Sequence, residues 1–257
     1  MAQDAPQATG PSKLVIRNIG LLLSGALEKP ILDADTIVAE NGKITAIGRL
    51  KDVNTEGATT IVDANGTTVA PGLIDKDVVL EADTDVVGHI NGGHTALPDD
   101  QIRCICEGCK RGLELVHNGN ERSALFTLRT AREMGDLSRI ILGTDSPAGS
   151  GVQPLGILRM VSMLSSLGEL PAEIAFCLAT GNTARMRQLD CGLIEVGRAA
   201  DFVIMDKAQH SPGKNILESV QLGDLPGIGM TIIDGIVRTQ RSRNTPPAGK
   251  VPEVVAK

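Results

Sequence analysis

Two β-patterned ends bracket a middle in which short apolar runs alternate with helical periodicity, and this arrangement limits the fold more than any other feature of the 257 residues. From Lys13 to about Pro71 the stretches "LVIRNIGLLLSG", "DTIVAENGKITAIGRL" and "TTIVDANGTTVAPG" are rich in β-branched residues. Asn41-Gly42 and Asn65-Gly66 each lie between two such runs, and an Asn-Gly pair readily takes the positive φ angles of a tight turn, so two hairpins are expected. The β pattern returns after Leu193 in "LIEVGRAADFVIMD" and in "MTIIDGIVRTQRS", the latter turning at Asp234-Gly235. Between the ends, "LPDDQIRCICEGCKRGLELV" and "NERSALFTLRTAREMG" carry apolar residues at three-and-four spacing. "DVVGHI" and "RIILGTD" are short apolar runs that end in polar turn residues. Alternation of this kind predicts βα units and a parallel sheet. Two further helices are expected in "PLGILRMVSMLSSLG" and "LPAEIAFCLATGNTARM", the second with Pro171 and Glu173 in its first turn.

The implied organisation is a loose polar terminus over 1–12, a composite β-sandwich from 13–75 and 190–243, an inserted α/β segment over 76–189, and an extended tail over 244–257. Composition narrows the partners. A net charge of −6 offers nucleic acid or an anionic membrane no electrostatic attraction. The opening "MAQDAPQATGPSK" has no basic segment followed by an apolar stretch, and no apolar run reaches the roughly 18 residues that span a bilayer. A cytoplasmic protein is therefore expected, and five cysteines, an odd number, fit reduced thiols better than a disulfide framework. Only Phe126, Phe176 and Phe202 are aromatic, so the core must be aliphatic.

Several segments, in order, carry a resemblance: "ADTIVAENGKITAIG", "VDANGTTVAPGLID", "GHINGG", "LGTDSPAGSG", "ATGNTAR" and "GLIEVGRAADFVIMD". Together they resemble the amidohydrolase superfamily. "VVGHINGGHTAL", "GVQPLGILR" and "SRNTPPA" are similar to its enamidase branch, whose members open cyclic amides. The resemblance implies a TIM-like (β/α)8 barrel flanked by a β-sandwich built from both chain ends. It also implies hydrolysis of a small cyclic amide at one or two divalent metals, zinc or iron, at the C-terminal mouth of the barrel.

Carried over residue by residue, the resemblance makes His89 in "VVGHINGG" a metal ligand from the sixth barrel strand. Asp145 in "IILGTDSP" becomes the eighth-strand metal ligand and proton shuttle. His94, after Gly92-Gly93 near the expected mouth, is a candidate substrate contact. The first-strand His-x-His pair is absent: after "PGLID" the chain reads Lys76-Asp77-Val78-Val79. The bridging ligand and the fifth-strand histidine have no counterpart either. Residues 76–189 number 114, against the roughly 200 or more that a complete (β/α)8 barrel takes. The expectation is a partial barrel, with about five βα units missing between Asp75 and Lys76 and an exposed edge that a homo-oligomer would cover.

Two functions stay open at this stage: a cyclic-amide hydrolase impaired by lost ligands, and a non-catalytic remnant or minimal scaffold acting as an interaction module. The plainer roles are a hydrogen-bonded strand-end histidine for His89 and a turn or capping aspartate for Asp145. Cys104, Cys106 and Cys109 are dense but lack a second Cys/His pair at zinc-site spacing. They are expected as ordinary helix cysteines, with Cys106 and Cys109 on one face.

Overall fold

The computed structural model of the protein describes residues 12–73, 86–93, 95–147 and 151–256. Its strands are β1 (Lys13–Arg17), β2 (Leu21–Leu23), β3 (Ile31–Leu32), β4 (Thr36–Glu40), β5 (Lys43–Gly48), β6 (Thr60–Asp63), β7 (Thr68–Pro71), β8 (Val86–Val87), β9 (Gly112–Val116), β10 (Ile140–Gly143), β11 (Phe202–Asp206), β12 (Gly227–Ile233), β13 (Ile236–Gln240) and β14 (Glu253–Ala256). The helices are α1 (Asp99–Gly108), α2 (Glu121–Glu133), α3 (Gly156–Ser166), α4 (Ala172–Cys177), α5 (Thr183–Met186) and α6 (Ile216–Gln221), with a π turn over Leu178–Asn182 joining α4 to α5.

Three sheets result. The first runs β14-β6-β1-β4-β5, the second β13-β12-β11-β7-β2-β3, and the third β10-β9-β8, which is parallel throughout. The first two each combine strands from both ends of the chain, and β14 lies in the stretch expected to run as an extended tail. Period-two alternation makes the second sheet a middle layer. Leu22, Val69, Phe202 and Ile204 join one core with the first sheet's Leu14, Ile16, Ile37 and Val62. Their neighbours Leu23, Ala70, Val203 and Met205 point the other way, into a core shared with α1 to α4, α6, β9 and β10. A strand covered on both faces needs apolar residues at every position, which accounts for the unbroken "FVIM" of β11.

The turn at Asn41-Gly42 closes the hairpin β4–β5, with φ of 51° and 78°. Asp234-Gly235 does the same for β12–β13, with φ of 53° and 73°. Asn65-Gly66 has the same backbone, φ 52° and 67°, yet does not make the expected hairpin. Its arms belong to different sheets: β6 pairs with β1 and β14, whereas β7 pairs with β11 and β2. The turn is a corner between layers, tied down by Gly66 N–H donating to the Asn18 carbonyl at 2.7 Å. Gly20 permits this approach, because a Cβ there would lie 2.2 Å from the Gly66 carbonyl oxygen.

The helical reading of "LPDDQIRCICEGCKRGLELV" also needs correction. Helix α1 ends at Gly108, Cys109 is extended (φ −90°, ψ 135°), and the remainder becomes β9. Arg139 enforces the break. Its buried guanidinium donates to the carbonyls of Cys106 and Arg111, each at 2.9 Å, and to that of Cys109, so carbonyls around the helix end are satisfied by a side chain instead of another turn. Cys109 therefore does not share a helix face with Cys106, which is buried while Cys104 is exposed.

Candidate functional site

The third sheet positions the candidate site. In β9, Leu113 and Leu115 pack into the helix-facing core, so Glu114 and Val116 face the opposite side. In β10, Ile140 and Leu142 do the same, leaving Ile141 and Gly143 on that opposite side. Loops leaving the C-terminal ends of these parallel strands converge, and enzymes with such sheets place their chemistry there.

His89 lies two residues beyond β8 and Asp145 two beyond β10. Each takes a left-handed backbone, φ 58° and 59°, uncommon for any residue other than glycine. His89 Nε2 lies 3.0 Å from Asp145 Oδ2, with side-chain exposures of 34% and 24%. Two residues 56 apart in sequence thus meet as a half-exposed imidazole–carboxylate pair. Surrounding hydrogen bonds hold it. Asn118 Nδ2 donates to the Asp145 carbonyl at 3.1 Å, and Gly92 N–H donates to the His89 carbonyl at 2.9 Å. Buried Asn91 extends the β8–β9 ladder beyond its last residue. Its Nδ2 donates to the Val116 carbonyl and its Oδ1 accepts from Val116 N–H, both at 2.9 Å.

Beneath the pair, Glu114 is buried between two glycines. A Cβ on Gly88 would lie 3.3 Å from Glu114 Oε2, and one on Gly143 would lie 3.2 Å from Oε1. Arg187, just after α5, reaches Glu114 Oε1 at 3.2 Å, with side-chain exposures of 11% for the arginine and 6% for the glutamate. Asn91, Asn118, Glu114 and Arg187 were not singled out from the sequence. A charged residue inside the apolar run "GLELV" was the one local signal.

A divalent metal needs donors of the right kind, number and spacing. A separation of 3.0 Å suits two neighbouring corners of a tetrahedral site, whose edges are about 3.3 Å for bonds of 2.0 to 2.1 Å. Catalytic zinc takes three protein ligands plus water. Among the described residues, no group of three His, Cys, Asp or Glu side chains could hold a metal ion. The described donors therefore do not fit a catalytic metal by themselves, and the contact stands as a hydrogen bond in which the carboxylate orients the ring. His94 and the junction at Asp75-Lys76 lie outside the described residues. His117 sits directly after β9, its N–H donating to the Gly143 carbonyl at 3.0 Å. No described helix is long and apolar enough to cross a membrane.

Known proteins resemble the chain in sequence and in fold. Enamidase of Eubacterium barkeri is 26% identical over 385 aligned residues, covering 95% of this chain and all of that protein. The crystal structure of an enamidase superimposes with a TM-score of 0.90 at 27% identity, over 95% of this chain and 100% of the other. A β-aspartyl dipeptidase from Fervidobacterium islandicum, 13% identical with a TM-score of 0.58 over 94% and 98% of the two chains, shares the fold. Members of this superfamily generally bind divalent metals. The profile of the Amidohydrolase family matches residues 105–237, from within α1 to within β13, and with just over half its length so matched the chain belongs to the amidohydrolase family.

Proposed function

We propose that this chain is a cyclic-amide hydrolase by lineage that keeps one side of its active site, His89 and Asp145, and is impaired in metal-dependent C–N bond hydrolysis. The observation that carries this reading is the 3.0 Å contact between the two side chains without a third metal donor among the described residues. Two ligands hold zinc weakly, and without a firmly held metal a bound water keeps a pKa too high to act as a nucleophile near neutrality. The length of the match to enamidase supports the same reading: 385 aligned positions exceed the 257 residues of this chain by 128. Asp145 and His89 are thus remnants of a proton-transfer and ligand set, and His94 is carried over from the family resemblance as a candidate substrate contact.

The same reading divides the chain into a sandwich (13–75 with 190–243) and a partial barrel (76–189). It places the protein in the cytoplasm, where its five free cysteines stay reduced. It also has the chain self-associate, each copy covering the barrel edge that the missing units would leave exposed.

The test is elemental analysis of the purified protein after growth with zinc or iron, paired with an assay of ring opening on a cyclic enamide. Metal well below one equivalent per chain and no turnover above background are expected, with His89→Ala changing neither. One equivalent of metal, with ring opening abolished by Asp145→Asn, would overturn the proposal. The interaction-module reading gains if binding partners survive in His89→Ala.

A further inference from the structure

A cleft of about 340 Å³ lies along α3, and neither His89 nor Asp145 lines it. Arg159, Ser162 and Ser166 of α3 line it, with Met160 and Met163 as its apolar surface and Glu121, at the start of α2, among its other lining residues. His117 reaches it from the end of β9, and Leu225 from the loop after α6.

Two features single it out. Arg159 and Glu121 both line the cleft, yet neither makes an ion pair with the other or with any other described residue. His117 Nδ1 is buried without a hydrogen-bond partner among the described residues, a condition that costs free energy unless a ligand or water supplies the missing bond. A cation and an anion that share one small cleft without touching leave room for a molecule that answers both.

We infer that this cleft binds a small zwitterion, a molecule carrying a carboxylate, an ammonium group and a short apolar body, on the size scale of an aliphatic amino acid. Arg159 takes the carboxylate, with its planar fork suited to two parallel hydrogen bonds. Glu121 takes the ammonium group, and Met160 and Met163 adapt to the aliphatic part through their flexible thioethers. Ser162 and Ser166 line the same wall and add hydroxyls. The volume is at the small end of ligand sites, which excludes nucleotides and peptides of several residues. The inference does not depend on metal or hydrolysis at the neighbouring pair.

The test uses the full chain with 13C-methyl-labelled methionine, titrated with L-norleucine, hexanoate and n-hexylamine. Norleucine is expected to shift the Met160 and Met163 methyl signals saturably, with each single-charge probe binding about tenfold more weakly, or about 1.4 kcal/mol. Arg159→Ala and Glu121→Gln, both at exposed positions, should each weaken norleucine about tenfold while leaving the melting temperature unchanged. Should either variant melt early, Arg159→Lys, which keeps the charge, must retain binding that Arg159→Ala loses. No saturable shift at the two methionines, equal binding of hexanoate, or norleucine affinity indifferent to both substitutions overturns the assignment.

Discussion

Glu114 is 5% exposed in the middle of a parallel strand, where an ionised carboxylate survives only if something answers its charge. Arg187 does so from the end of α5, and the glycines at 88 and 143 leave the carboxylate its space. Removing one partner of a buried pair costs more than the pair contributes, because the remaining charge stays in a poor solvent. Arg187→Ala is therefore expected to lower stability by about 3 to 5 kcal/mol, read as a fall in the urea midpoint. The double variant with Glu114→Ala should recover part of that loss, and an unchanged midpoint in the single variant would show that the pair is not buried as described. The sequence made Glu114 visible as a charge in an apolar run. Its partner was not legible, since Arg187 lies 73 residues away and only the fold brings the two together.

At the scale of elements, the stretch "ATGNTAR" reads as a helix, but its first four residues belong to a π turn and only its last three to α5. The π turn ends at Asn182, whose Nδ2 donates to the Leu137 and Ile140 carbonyls, both at 2.9 Å. These carbonyls lie at the entrance to β10, the strand that ends at the Asp145 loop, so the side chain fastens the last barrel-side helix to that strand. Asn182→Ala would leave two carbonyls short of a donor in a buried setting, at a cost of about 2 to 4 kcal/mol. Chemical denaturation measures that cost, and faster amide exchange along β10 locates it. Helical spacing could predict the helix but not this contact, because an asparagine within a helix more often faces solvent. Turn chemistry shows the same limit. Asn41-Gly42 and Asn65-Gly66 share a backbone geometry, yet only the first joins paired strands, since partners recruited from elsewhere in the chain decide where β6 and β7 go.

For the whole molecule, acid provides a test of the layered assembly. Asp35, just before β4, is held below the usual carboxylate range by the Thr36 hydroxyl; burial pushes the other way and is outweighed once Leu50 N–H and Arg49 add to the hydroxyl. At Asp63, the end of β6, burial pushes the pKa upward but is outweighed by the Asn18 amide, Asn65 N–H and Arg17. Both groups are depressed on folding, so their contribution is present above the unfolded value near 4 and is lost as pH falls through the folded values. The urea midpoint should drop between pH 5 and pH 2, and Asp63→Asn should reduce that slope. A midpoint that rises over the same interval would contradict the sign.

The sequence by itself determined the β ends, the alternating middle, the family, and the candidacy of His89 and Asp145, because periodicity and ordered motifs are properties of neighbouring residues. Only the tertiary structure decided that these two side chains lie 3.0 Å apart, that the second sheet is covered on both faces, and that Glu114 is answered by Arg187. Such facts depend on contacts between residues tens of positions apart, and local pattern does not encode the distance between strands that meet only after the chain has folded.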